Sequence, residues 1–222
     1  ADTWHQDWYG GTPPYKKTLR QGLEELQNRP MDYADGLDRV VFTYKGKGLA
    51  ISEDERLCVA EEPEVFIKEY WGEGSYTFRS ERTGKYMNLL LEESSKEANA
   101  KGQIAVQKEE AFDWFVLEIF HLKEQEDGCV TLTDRFHYPL QVQPDGTVIS
   151  VDEEEGTPIK MEIVESGVKK AVELAEGKQV VLLAVGCNPM INAKEEVDRK
   201  TLALPEEQQV LIREVAKVNQ NI

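Results

Sequence analysis

The chain has 222 residues, 40% hydrophobic and 31% charged, with a net charge of -16 at pH 7. That apolar content supports a folded core and excludes disorder over most of the length. So acidic a chain repels phosphate backbones and anionic bilayers, which sets nucleic acid and membrane surfaces aside as partners. Cys58, Cys129 and Cys187 are odd in number, lie far apart and form no C-x-x-C. Neither a disulfide framework nor a zinc site follows. No apolar run approaches the length of a membrane span. The chain begins at Ala1 without a Met and reads as a mature product or an excised piece. The compartment therefore stays open, with the cytoplasm as the default.

Residues 1 to about 36 form a first zone. "DWYGGTPP" is a loop by its turn chemistry. Leu19, Leu23 and Leu26 then fall at helical spacing, predicting a short amphipathic helix from Thr18. "MDYADG" predicts a brief strand closed by Gly36. Trp4, Trp8, Tyr9 and Tyr15 form an aromatic cluster, equally suited to stacking on sugar faces and to ordinary packing.

The second zone, 37–165, reads as strands throughout, with turns such as "KGKG", "RTGK" and "PDGT". It also repeats. "RLCVAEE", "QIAVQKEE" and "VISVDEEE" place Val59, Val106 and Val151 at matching points, 47 and 45 residues apart. Three units of four short strands predict a β-trefoil, because one unit cannot bury its apolar face alone. The acidic turns lack the alternating Asp pattern of a calcium loop, and the three histidines show no ligand spacing. No metal and no cofactor are assigned. His137 beside Tyr138 is open to two readings, a residue facing a ligand groove and, preferred here, a strand-turn residue.

The third zone is 166–222. Ser166 caps a predicted helix that Gly177 stops. "VVLLAVG", Val180–Gly186, predicts a strand buried on both faces. Pro205 opens a further helix bearing Val210, Leu211, Val215 and Val218. Helix, buried strand, loop and helix predict half of a doubly wound α/β sheet. The expected architecture is thus one partial α/β sandwich domain, 1–36 with 166–222, interrupted by a β-trefoil insert at 37–165.

Active sites of open parallel sheets lie beyond the carboxyl ends of the strands, the position of the Gly186–Arg199 loop. It carries Glu195, Glu196 and Asp198, with Arg199 able to pair with one of them. These carboxylates are either a solvated acidic turn or groups at a reaction centre. No Gly-x-Ser-x-Gly elbow, Walker loop, His-Glu-x-x-His or dinucleotide-binding glycine pattern is present.

The third zone resembles the C-terminal α/β sandwich domain of glycoside hydrolase family 3. The resemblance lies in Val180–Gly186, the acidic loop leading to Asp198-Arg199, Leu204-Pro205 and Gln208. "DWYGGTPPYKKTLRQGLEEL" and "DYADG" resemble the opening of the same domain, and the middle zone resembles fascin-like β-trefoils. The resemblance implies a retaining β-glycosidase acting on β-glucosides or β-xylosides. Such enzymes hold two carboxyl groups about 5–5.5 Å apart, one as nucleophile and one as acid/base. It implies an Asp nucleophile on an N-terminal TIM barrel that this chain lacks. Asp7-Trp8 is rejected as that nucleophile by its Gly-Gly-Thr-Pro-Pro context. Glu195 matches the acid/base best and Glu196 is the alternative. The family pattern has another Glu nearer the strand, where Asn192 and Ala193 stand here. Trp8, Tyr9, Asp198 and Arg199 are the implied substrate contacts, with a carbohydrate as the substrate. The competing expectation is a sugar-binding or protein-interaction trefoil without catalysis. A homo-oligomer is allowed by either.

Overall fold

The computed structural model describes residues 9–11, 13–91, 102–125, 128–193 and 198–222. The chain divides into two compact units, Ala1–Leu37 with Ser166–Ile222, and Asp38–Glu165.

Among its described residues the second unit holds twelve antiparallel strands. They are β1 (Asp38–Tyr44), β2 (Lys47–Ile51), β3 (Leu57–Ala60), β4 (Phe66–Gly72), β5 (Ser75–Ser80), β6 (Tyr86–Leu90), β7 (Gln103–Lys108), β8 (Phe120–Glu124), β9 (Cys129–Thr133), β10 (Leu140–Val142), β11 (Val148–Ser150) and β12 (Ile159–Glu165). The pairings β1–β4, β4–β5, β5–β8, β8–β9, β9–β12 and β12–β1 close a six-stranded barrel. Closure removes the sheet edges that would otherwise invite pairing with other chains. The remaining strands form three hairpins, β2–β3, β6–β7 and β10–β11, set on one end of the barrel.

Three backbone hydrogen bonds join these hairpins in a ring. Val59 N–H donates to Gly146 O at 2.8 Å, Val106 N–H to Glu55 O at 2.8 Å and Ser150 N–H to Gly102 O at 2.8 Å. Each repeat thus donates to the turn of another, so the threefold pattern is visible in the hydrogen bonds. The third donor is Ser150, one residue before Val151. The core alternates along the strands as a pleated, half-buried surface requires. Phe42, Phe66, Phe78 and Phe120 fill its centre, with Phe42 and Phe78 edge to face at 5.2 Å and 76°. Each such ring contributes on the order of 1.5–3 kcal/mol by burial.

The first unit contains α1 (Leu19–Gln27), α2 (Gly167–Ala175) and α3 (Glu206–Val218). Thr18 and Gln21 close a reciprocal cap on α1: Thr18 Oγ1 accepts from Gln21 N–H at 3.2 Å, and Gln21 Oε1 accepts from Thr18 N–H at 2.9 Å. The leucine stripe of α1 is nevertheless not buried. Ser166 caps α2 through Lys169 N–H. Gly167 is required by contact, since a Cβ there would stand 2.3 Å from the backbone of Leu37. Asn219 ties the ends of α2 and α3 together by donating to Ala175 O at 3.0 Å and Lys178 O at 2.8 Å.

The expected doubly wound α/β sheet does not form. The described residues are mostly β, a closed barrel with three short helices. Among the described residues of 166–222 no strand is present. Val180–Gly186 is irregular backbone outside any strand, and Val180, Leu182 and Val185 are exposed. The physical reason is the lack of a ladder partner. Among the described residues, the backbone bond recorded for this run is Val181 N–H to Asn221 O at 2.9 Å. Apolar composition marks a segment for burial, but a parallel strand also needs neighbours. "MDYADG" likewise forms no strand.

Candidate functional site

The loop after Gly186 is braced at its base. Gln208, in the first turn of α3, grips the backbone of Gly186 twice: its Oε1 accepts from Gly186 N–H at 2.9 Å and its Nε2 donates to Gly186 O at 2.8 Å. Asn188 is buried and organises the next turn. Its Oδ1 accepts from Met190 N–H at 2.8 Å, its own N–H donates to Asn192 Oδ1 at 2.7 Å, and its carbonyl accepts from Asn192 N–H at 3.0 Å. Asn side chains stabilise such turns by standing in for backbone partners. Buried Met190 plugs the turn onto the unit. On the far flank, Gln209 Nε2 donates to Leu204 O at 2.7 Å, fixing the approach to α3.

Glu195 and Glu196 lie outside the described residues, as does Trp8. Tyr9 sits on an exposed turn. Asp198 and Arg199 are exposed on the loop. Arg199 Nη1 donates to Cys187 Sγ at 3.1 Å and so bridges the two flanks of the loop. Sequence reasoning did not single out Asn188 and Gln208 as the groups that hold the base of this loop. Their signal was present in the Asn-Pro-Met-Ile-Asn spacing, which suits a capped turn, and in a glutamine in the first turn of the helix.

The barrel unit has its own candidate groups. Glu118 is buried, its Oε2 has no hydrogen-bond partner among the described residues, and burial pushes its pKa up to about 7. His121 stacks on His137 with ring centroids 4.3 Å apart. Burial first, and then the neighbouring His137, press its pKa down to about 4. His121 Nδ1 lies 3.3 Å from Gly74 O. No cluster of three or more metal-ligating side chains occurs among the described residues. An open groove of about 570 Å³ lies between the β1–β2 turn and the β11–β12 connection, lined by Tyr44, Lys45, Gln141, Glu153, Glu155 and Thr157 among others.

The chain thus combines a closed barrel at Asp38–Glu165 with a separate unit whose loop after Gly186 is braced at its base. The glycosyl hydrolase family 3 C-terminal domain matches residues 1–222, and the chain belongs to that family. No curated protein matches. Among solved structures, a designed threefold-symmetric protein, ThreeFoil, is 18% identical with a TM-score of 0.41, covering 57% of this chain and 98% of its own. A Polyporus squamosus lectin bound to a human-type influenza-binding epitope is 14% identical with a TM-score of 0.47, covering 59% of this chain and 50% of its own. An endo-β-galactosidase from Clostridium perfringens is 16% identical with a TM-score of 0.44, covering 58% of this chain and 33% of its own. Likenesses at this level carry no functional argument.

Proposed function

We propose that this chain supplies the acid/base side of a retaining β-glycosidase acting on β-glucosides or β-xylosides. Family membership over the full 222 residues is the observation that carries the reading. In this reading Glu195 is the acid/base and Glu196 the alternative, while Trp8, Tyr9, Asp198 and Arg199 contact the sugar. An N-terminal TIM barrel of the parent protein contributes the Asp nucleophile. The acid protonates the glycosidic oxygen as the Asp attacks the anomeric carbon, giving a covalent glycosyl-enzyme. The resulting carboxylate then takes a proton from water, which attacks the same carbon and releases the sugar. The braced base of the loop, Gly186–Gln208 and Asn188–Asn192, suits this role, because a general acid must be held in register with its substrate.

An acid of this kind needs a raised pKa, which burial or a neighbouring carboxylate provides. The test is hydrolysis of an aryl β-glucoside and an aryl β-xyloside by the parent enzyme and its Glu195→Gln and Glu196→Gln variants. The acid/base variant is expected to lose roughly 10²–10⁴-fold in kcat for a poor leaving group. Azide should restore turnover with a good leaving group by replacing water as the attacking species. Wild-type rates in both variants would remove the assignment. Turnover by residues 1–222 alone would overturn the requirement for an external nucleophile.

A second reading is a carbohydrate-binding barrel without catalysis, and the groove beside Tyr44 favours it.

A further inference from the structure

The barrel has three equivalent seams. At each, the turn after the first strand of one repeat meets the connection after the third strand of another. Two of the seams are filled. Between the β5–β6 turn and the β3–β4 connection, Arg82 donates through Nε and Nη2 to Glu64 Oε2 at 3.1 and 2.9 Å, and Ser80 Oγ donates to Glu64 Oε1 at 2.7 Å. Between the β9–β10 turn and the β7–β8 connection, Arg135 Nε donates to Phe115 O at 3.0 Å. The Phe115 and Phe136 rings close the same seam edge to face at 5.8 Å.

The third seam is open. Its turn is only Lys45-Gly46, both with positive φ, 49° and 82°, as a tight two-residue hairpin turn demands. So short a turn sends no arginine across. Lys45 instead lies over its own neighbour, with Nζ 4.8 Å from the centroid of the Tyr44 ring. The backbone confirms the equivalence: Thr157 N–H donates to Leu140 O at 2.9 Å, as Glu64 N–H donates to Leu49 O at 2.9 Å. A hydroxyl therefore stands where the filled seam has its buried carboxylate. The result is the groove of about 570 Å³.

Its acidic wall is fixed before any ligand arrives. Gln141 Nε2 donates to Glu153 Oε2 at 2.7 Å and to Glu155 O at 3.0 Å, holding the acidic connection in place. Thr157 Oγ1 accepts from Val142 N–H at 3.0 Å, so its own hydrogen is left to donate outward. Among the described residues Glu153 Oε1 and Gln141 Oε1 accept no hydrogen bond. Tyr44 is half-buried against the barrel core, which immobilises its ring. An anchored aromatic face, which a sugar reaches by displacing the exposed Lys45 side chain that lies over it, two oriented acceptors and a hydroxyl donor match the two sides of a pyranose. The C–H face of a sugar packs on an aromatic ring, and its hydroxyls donate to fixed oxygens. Glu153 and Glu155 on the rim disfavour anionic sugars.

We propose that this open seam binds a neutral oligosaccharide, with Tyr44 as the platform and Glu153 and Gln141 as hydroxyl acceptors. This deepens the carbohydrate-binding reading and is independent of the role given to Glu195.

The test is amide NMR titration of the 222-residue chain with cellotetraose and with xylotetraose. Shifts are expected at Tyr44–Gly46, Gln141 and residues 153–157, with a Kd of about 1 mM, the weak range of an open site. Glu153→Ala, an exposed substitution that leaves the barrel core intact, should weaken binding about tenfold or more, which is about 1.4 kcal/mol. Tyr44→Leu, which keeps the core contact but removes the ring, should do the same. Trp114→Ala, on another seam, should change nothing. The proposal is overturned if neither sugar moves these amides at roughly 20 mM. Shifts confined to other parts of the chain, or unchanged affinity in Glu153→Ala, overturn it equally. Lost turnover in a Glu195 variant of the parent would not move these shifts, and missing shifts would not touch that turnover.

Discussion

Phe42, Phe66, Phe78 and Phe120 in the barrel are at most 1% exposed, whereas Val180, Leu182 and Leu202 of the helical unit are 57%, 58% and 89% exposed. Both units contain apolar residues in quantity. The difference is closure. In the barrel every first and fourth strand of a repeat finds a partner on each side, so its inward residues are sealed by neighbours from all three repeats. In the helical unit α1 has no buried residue, α3 buries only Val215, and α2 buries Gly167 and Ala175. Apolar sequence becomes stability only where topology supplies the opposite wall.

The sharpest way to break this contrast is a matched pair of truncations. Phe78→Ala removes a ring flanked by Phe42, Tyr76 and Phe120. It should cost about 3–5 kcal/mol in urea unfolding. Leu182→Ala should fall within about 0.5 kcal/mol of wild type. Equal effects would mean that the exposed run is as well packed as the barrel core.

A smaller effect separates two titratable groups of the barrel, one buried and one half-buried. The folded pKa of Glu118, about 7, lies above its ordinary 4.5. The native state keeps a proton that the unfolded chain releases, so this contribution is complete below pH 4.5 and is lost as pH rises through 7. At pH 8 the loss is about 3 kcal/mol. Glu118→Gln should flatten that slope in unfolding curves taken at pH 5 and pH 8. His121 has the opposite sign, since its folded pKa of about 4 lies below the ordinary 6.5. Its contribution is lost as pH falls from 6.5 through 4, by about 1–2 kcal/mol after allowance for partial exposure.

The smallest effect concerns the loop base. Gln208→Ala removes both bonds to Gly186 and should cost about 1 kcal/mol, read as faster amide exchange at Gly186 and Asn188 with barrel amides unchanged.

Much of the barrel was legible because its cues are local and recur. Val59 and Val106 mark matching points, and the ring of hydrogen bonds passes through both. The seams were not legible. Whether Arg82 meets Glu64, or Lys45 turns back on Tyr44, depends on turn lengths and on a partner from a different repeat. The Val180–Gly186 run misled for a related reason, since its composition records a preference for burial but carries no information about which strand would lie alongside it. For the acidic loop, charge drew the sequence reading to Asp198 and Arg199, which lie exposed, whereas Asn188 and Gln208 hold the loop base through what their amides reach rather than through any charge.

The pairing of Arg39 with Glu165 brings the two ends of the barrel side by side. On the other side of that junction, Leu37 and Gly167 are in backbone contact. The entire span Asp38–Glu165 is therefore a detour between two points that already touch. Joining Leu37 to Ser166 through one or two glycines should leave a continuous helical unit, and the liberated barrel could be grafted into a surface hairpin of an unrelated host. Such a cassette can be gained or lost in a single genetic event without asking its host to stretch.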